Sequence, residues 1–124
     1  MLFGLGLSTR IYIAIEAVDM RKGFDGWYGL VRDHLGQDPM SGHLFLFSNR
    51  SRTRLKALVW DGSGMWVCAK RLERGRFRWP SAAGSGAAAG SVTLRAEELA
   101  MLLNGLDPVE AKPRKTWLRR APAA

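Results

Sequence analysis

The chain has 124 residues, 47% of them apolar, with a formal net charge of +8 and an isoelectric point near 10.6. That length allows one domain with a modest core, and the apolar content excludes a disordered chain. The single cysteine, Cys68, excludes an intramolecular disulfide, and no apolar run approaches the roughly 20 residues of a membrane span.

The opening MLFGLGLSTR has no charged region before its apolar run and no A-x-A site after it, so no secretory signal is expected and a reducing cytoplasm fits. Arg10 to Ile15 (RIYIAI) is β-branched and aromatic and predicts a strand. Asp19 is a candidate N-cap for a helix over Met20 to Leu35, with Met20, Phe24, Trp27, Tyr28, Val31 and Leu35 on one stripe. Gly23, Gly26 and Gly29 recur inside that helix, each costing about 1 kcal/mol against Ala, so close backbone packing is expected to compensate. Gly36 can end the helix, and DPMSG (Asp38 to Gly42) reads as a turn.

HLFLF (His43 to Phe47) is a continuous apolar strand. Leu55 to Trp60 and Met65 to Ala69 flank Asp61-Gly62-Ser63-Gly64, which predicts a hairpin. A further strand is expected over Gly75 to Trp79, stopped by Pro80. Residues 81–91 contain only Ser, Ala and Gly and read as a linker. Val92 to Leu94 is a short extended piece, and Ala96 to Leu103 a helix with Leu99, Leu102, Leu103 and Leu106 on one face. Asn104-Gly105 ends it, and Asp107-Pro108 confirms the stop. These elements predict one α+β domain over residues 1–111, a small antiparallel sheet with a central hairpin flanked by two helices, followed by a basic tail over 112–124.

The charge is localised. Residues 50–80 hold nine basic and two acidic groups, a net of +7, and residues 112–124 hold five basic groups and no acidic one. Arg50, Arg52, Arg54 and Lys56 alternate along the chain. So do Arg74, Arg76 and Arg78, in a stretch KRLERGRFRWP that also carries Lys70 and Arg71. On strands each alternating set lines one face, and two such strands would present guanidinium groups to phosphate oxygens. The competing reading is a solvated face or a charged edge that resists aggregation. Trp60, Trp66, Phe77 and Trp79 stand beside this charge and could stack on bases, but Phe77 and Trp79 oppose the arginines and read as core.

Asp19, Asp61 and Glu73 are the carboxylates that could hold metal ions for phosphoryl transfer. Each has a plainer role, as cap, turn residue and salt-bridge partner. His34 and His43 are the only histidines, and with Cys68 they form no metal-ligand spacing. Gly23-x-x-Gly26 matches the spacing of a backbone-clamping loop of RNA-binding folds, but it lies within the amphipathic stripe, where packing explains it. No catalytic residue, metal or cofactor is assigned.

Five motifs occur in order: DMRKGFDG (Asp19 to Gly26), DPMSGHLFLF (Asp38 to Phe47), WDGSG (Trp60 to Gly64), KRLERGRFRWP (Lys70 to Pro80) and LAMLLNGLD (Leu99 to Asp107). Together they resemble the TnpB-type accessory protein of the IS-sixty-six class of bacterial insertion sequences, which is distinct from the RNA-guided nucleases of the same name. The resemblance runs from about Arg10 to Asp107. It departs at Trp27, where a leucine is expected, at the long Ser/Ala/Gly linker, and at Leu94-Arg95, which replaces a Thr-Pro helix opening. It implies a cytoplasmic protein of a mobile element, encoded beside a larger transposase that holds the catalytic carboxylates. The expected function is a non-enzymatic accessory role in DNA transposition. Phosphate contacts would come from Arg50, Arg52, Arg54, Lys56, Lys70, Arg71, Arg74, Arg76 and Arg78, and Asp19, Arg21 and Lys22 would form a partner-docking patch. The alternatives are an adaptor that meets the transposase without touching DNA, and a small metal-dependent nuclease.

Overall fold

A computed structural model of the chain describes residues 8–81 and 90–105. The structure is α+β. Its sheet has five strands, β1 (Ile11–Ala14), β2 (Leu44–Ser48), β3 (Arg54–Trp60), β4 (Met65–Arg71) and β5 (Ser91–Leu94), in the spatial order β4-β3-β2-β1-β5. Among the described residues two α-helices accompany it, α1 (Phe24–Gly29) and α2 (Ala96–Leu103).

The sheet is mixed where an antiparallel one was expected. β1 runs parallel to β2, with Ile11 opposite Leu44 and Ile13 opposite Leu46, and every other pairing is antiparallel. The reason is topological. A helix between two strands returns the chain to the end where the first strand began, which makes the strands parallel. The β3–β4 hairpin also lies at one edge of the sheet, not at its centre.

β2 is buried at all five positions, as its continuous apolar run requires of a strand covered on both faces. The period-2 alternation then sorts the core. Ile11, Ile13, Leu44, Leu46, Leu55 and Ala57 face α2 through Leu99 and Leu102. Tyr12, Ala14, Phe45, Phe47 and Leu58 face α1 through Trp27. One helix therefore covers each face.

α1 is shorter than the expected helix. Asp19 does not cap it. Its Oδ1 instead accepts the Arg21 N–H at 2.9 Å, a local turn that competes with helix entry. The helix begins at Phe24 with Gly23 as N-cap and continues as a π-helical turn over Leu30–His34, where the Leu35 N–H reaches the Leu30 carbonyl. The wider turn keeps Trp27, Val31 and Leu35, spaced by four, on the buried side. Phe24, which shares the expected stripe, is 59% exposed. The three glycines do not mark close helix packing. Only Gly26 is tight, since a Cβ there would meet the Lys22 Cβ at 3.0 Å. Gly36 ends the segment at φ +65, as expected of a glycine stop.

The expected strand over Gly75 to Trp79 is absent. Residues 72–80 form an irregular strap across one end of the sheet. Its Leu72 N–H bonds the Thr53 carbonyl (2.9 Å), its Phe77 N–H the Arg52 carbonyl (2.7 Å), and the Trp79 Nε1–H the Ala14 carbonyl (2.6 Å). The ladder position beside β4 stays empty because Phe77, 2% exposed, turns in to the core with Trp79 against it. Gly90 and Ser91, placed in the linker by composition, belong to a turn and to β5. The rest of that linker, Leu106, the Asp107-Pro108 stop and the basic tail lie outside the described residues.

Candidate nucleic-acid interface

The strand directions set where the basic residues go. β1, β2 and β4 end, and β3 begins, at the same end of the sheet, and the strap crosses it there. The basic residues of positions 50–56 and 70–78 therefore meet at that end, although of the two alternating sets expected on strands only Arg54 and Lys56 lie on one.

Arg50 and Arg52 lie in the β2–β3 turn, not on a strand. Asn49 builds this turn. Its Oδ1 accepts the Thr53 and Arg54 N–H groups at 3.0 and 3.1 Å, and its Nδ2 donates to Ser51 Oγ and Thr53 Oγ1. The turn formers Asn49, Ser51 and Thr53 were the legible signal, hidden by the arginines between them.

Arg52 is structural. It adopts φ +59, its Nη2 donates to the Ile15 carbonyl at 2.7 Å, and its guanidinium lies 5.2 Å from the Trp79 ring centroid. Burial pushes its pKa below the usual arginine range. It ties the β2–β3 turn to the end of β1 and to the strap. Lys70 is likewise committed. Its Nζ donates to the Leu103 carbonyl at 2.7 Å, placing a cation at the C-terminus of α2, where the helix dipole favours it. Both side chains are thus engaged within the fold.

The remaining cations face outward. Arg54 and Arg71 sit directly opposite each other on β3 and β4, and Lys56 lies two residues on along the same face, opposite Ala69. Lys56 is half-buried with its ammonium 5.8 Å from the centroid of buried Trp27. Arg71 approaches Glu73 at 3.5 Å. Arg50, Arg54, Arg74 and Arg78 are exposed, and among the described residues no carboxylate pairs with them. Arg76 is exposed beside them on the strap. An open groove of about 420 Å³ runs over the β3–β4 pair, lined by Arg54, Lys56, Arg71, Ala69 and Met20, with Leu55 and Lys70 at the intervening strand positions.

Met20 brings the second candidate patch to the groove's rim. Asp19 and Arg21 form a bidentate pair there, with Nε and Nη2 at 3.0 Å from the two oxygens. The Arg21 side-chain hydrogen bonds, then its backbone N–H, hold the Asp19 carboxyl down at about 2. Lys22 follows, half-buried against the first turn of α1. From sequence Met20 read only as part of a helix stripe and Ala69 only as the end of a strand, because nothing in a small or apolar residue announces a groove wall.

The carboxylates named as metal candidates do not converge. Asp61 sits in the β3–β4 turn and Glu73 follows the far end of β4, so the whole strand, about 20 Å at the extended rise, lies between them. Asp61 Oδ1 accepts the Ser63 and Gly64 N–H groups and the Ser63 hydroxyl, and Oδ2 accepts the Trp66 indole N–H at 2.7 Å. Among the described residues no three His, Cys, Asp or Glu side chains gather as a metal site would require. Nor is any described helix long and apolar enough to cross a membrane.

Residues 9–113 match the family model described as IS66 Orf2 like protein. The chain is 39% identical over 112 residues to the uncharacterized protein y4hO of Sinorhizobium fredii, covering 90% of this chain and 91% of that one. It is 36% identical over 116 residues to the uncharacterized protein y4jC of the same organism, covering 92% and 95%. No solved structure matches the chain.

Proposed function

The chain belongs to the family of IS66 Orf2 like proteins, and from that membership we propose that it is a non-catalytic accessory factor for transposition of an insertion sequence that binds nucleic acid through the basic end of its sheet. It would act in the cytoplasm beside the element's transposase. The family supports the transposition context. The observation that carries the nucleic-acid reading is the convergence of Arg54, Lys56, Arg71, Arg74 and Arg78 at one end of the sheet, with described carboxylate compensation only at Arg71. A fold that gathers like charge without neutralising it works against its own stability, and a polyanion relieves that repulsion.

The test is binding to a random-sequence oligonucleotide across a salt series. With four to six phosphate contacts, log K should fall against log salt with a slope of about −3 to −5. Changing Arg74 and Arg78 to Ala should flatten that slope by about 1 to 2. Absence of binding at about 50 mM salt, where non-specific polyanion contacts are strong, together with intact co-purification of the transposase, would replace this reading with the adaptor.

A further inference from the structure

The groove over β3 and β4 gives this part of the basic surface a shape. Arg54 and Arg71 are placed opposite each other across the strand pair, an arrangement that is unfavourable for like charges unless something anionic sits between them. Lys56 adds a third cation to the same face, and its ammonium, 5.8 Å from the Trp27 ring centroid, is positioned before any ligand arrives. Glu73 lies 3.5 Å from Arg71, a weak exposed pair that an incoming anion can displace. Ala69, the residue opposite Lys56, leaves the floor open, and Met20 supplies an apolar wall. The volume, about 420 Å³, lies within the range of small-ligand sites. The groove thus offers an anionic seat and an apolar shelf side by side.

We infer that this groove seats one nucleotide unit of an unpaired strand, its phosphate between Arg54, Lys56 and Arg71 and its base or sugar against Met20 and Ala69. The inference rests on the nucleic-acid reading above and sharpens it to a strand preference. A base stacked inside a duplex cannot enter the groove, whereas an unpaired one can leave its neighbours and lie on the shelf. Arg74 and Arg78, outside the groove, supply contacts that do not discriminate between strand types.

The test separates shape from charge. Binding of the full chain to a single-stranded oligonucleotide and to the duplex of the same sequence is measured at matched salt, for the wild type and for Ala69→Leu. Ala69 is exposed on an edge strand, so Leu is accommodated there without a change of charge while it fills the groove floor. The wild type should favour the single strand, and Ala69→Leu should lose that preference by about tenfold while holding the duplex, a size within the range for losing one base laid on a side-chain shelf. A double change of Arg54 and Lys56 to Gln should also remove the preference, and Arg74→Gln with Arg78→Gln should weaken both strands alike. Thymidine 5′-monophosphate should compete with the single strand more strongly than inorganic phosphate does. Equal binding of both strand types, or an unchanged preference in Ala69→Leu, overturns the groove while leaving nucleic-acid binding in place. Binding of neither strand overturns both.

Discussion

Asp61 shows how much of one turn a single carboxylate can organise. Its two oxygens accept four hydrogen bonds, from Ser63 and Gly64 in the backbone and from the Ser63 hydroxyl and the Trp66 indole. The Ser63 N–H, then the Trp66 indole and the Gly64 N–H, lower its pKa from 3.8 to about 2. A carboxylate whose folded pKa lies below its unfolded one contributes stability that is full above the unfolded value and lost as pH falls through the folded value. The hairpin tip should therefore loosen between about pH 4 and pH 2, and the Trp66 indole proton resonance should titrate with a midpoint near 2. A midpoint near 4 would mean that these bonds do not form in solution. Asp61→Asn should abolish the titration. Arg52 is the opposite case, a residue whose type does not reveal its place in the fold. An arginine among arginines looks like a phosphate contact. The positive φ and the Ile15 carbonyl that make it a brace depend on a turn and a neighbouring strand that spacing does not reveal.

At the scale of elements, the strap over residues 72–80 decides how the basic residues are presented. It is held by Phe77 in the core, by two backbone bonds to the β2–β3 turn segment and by the Trp79 indole. Phe77→Ala should cost about 3 kcal/mol, the low end for such a truncation because a strap can relax into the void. Denaturant unfolding measures it. The same variant should lower nucleic-acid affinity even where it stays folded, since Arg74 and Arg78 lose their anchored backbone. A variant that is destabilised but binds normally would show that the strap's arginines act without fixed positions. Part of this element was legible. Alternation of Arg74, Arg76 and Arg78 with Phe77 and Trp79 separates outside from inside in any extended backbone. Whether that backbone joins a ladder depends on a partner strand, and alternation says nothing about partners. α2 was fully legible over Ala96–Leu103, because its leucines keep the helical period and Gly105 stops it at φ +75. Arg95 at its N-cap carries no acceptor, and the entry is held from the other side, by Glu98 Oε1 accepting the Arg95 N–H at 2.9 Å. α1 was legible as a helix but not in its start or its π-helical turn, both set by tertiary packing of Trp27, Val31 and Leu35.

On the scale of the whole molecule, the fold converts a net charge of +8 into a direction. The hairpin tip bearing Asp61 points to one end of the sheet, and the arginines of the turn, the groove and the strap gather at the other. The charge count along the chain located the excess, but only the antiparallel return of β3 and β4 brings positions 50–56 beside 70–78. The same topology has a consequence for how the protein is made. β1 is synthesised first, yet it pairs with β2 and β5, so that Ile11 waits for Leu44 on one side and Leu94 on the other. The β2–β3–β4 meander can form from contacts close in sequence, while β1 needs a parallel partner and a late one, and such non-local pairings form slowly. A nascent chain that has emerged only as far as residue 81 carries the apolar strand Ile11–Ala14 with one edge uncovered and, without α2, one face of the sheet bare. A chain stopped at that residue should aggregate, and size-exclusion chromatography beside the full chain would reveal it. A soluble monomer would show that β5 and α2 are both dispensable. Completion of the sheet then waits until residues 91–94 have emerged, and until they do the open edge of β1 is exposed to proteases and to other copies of the chain.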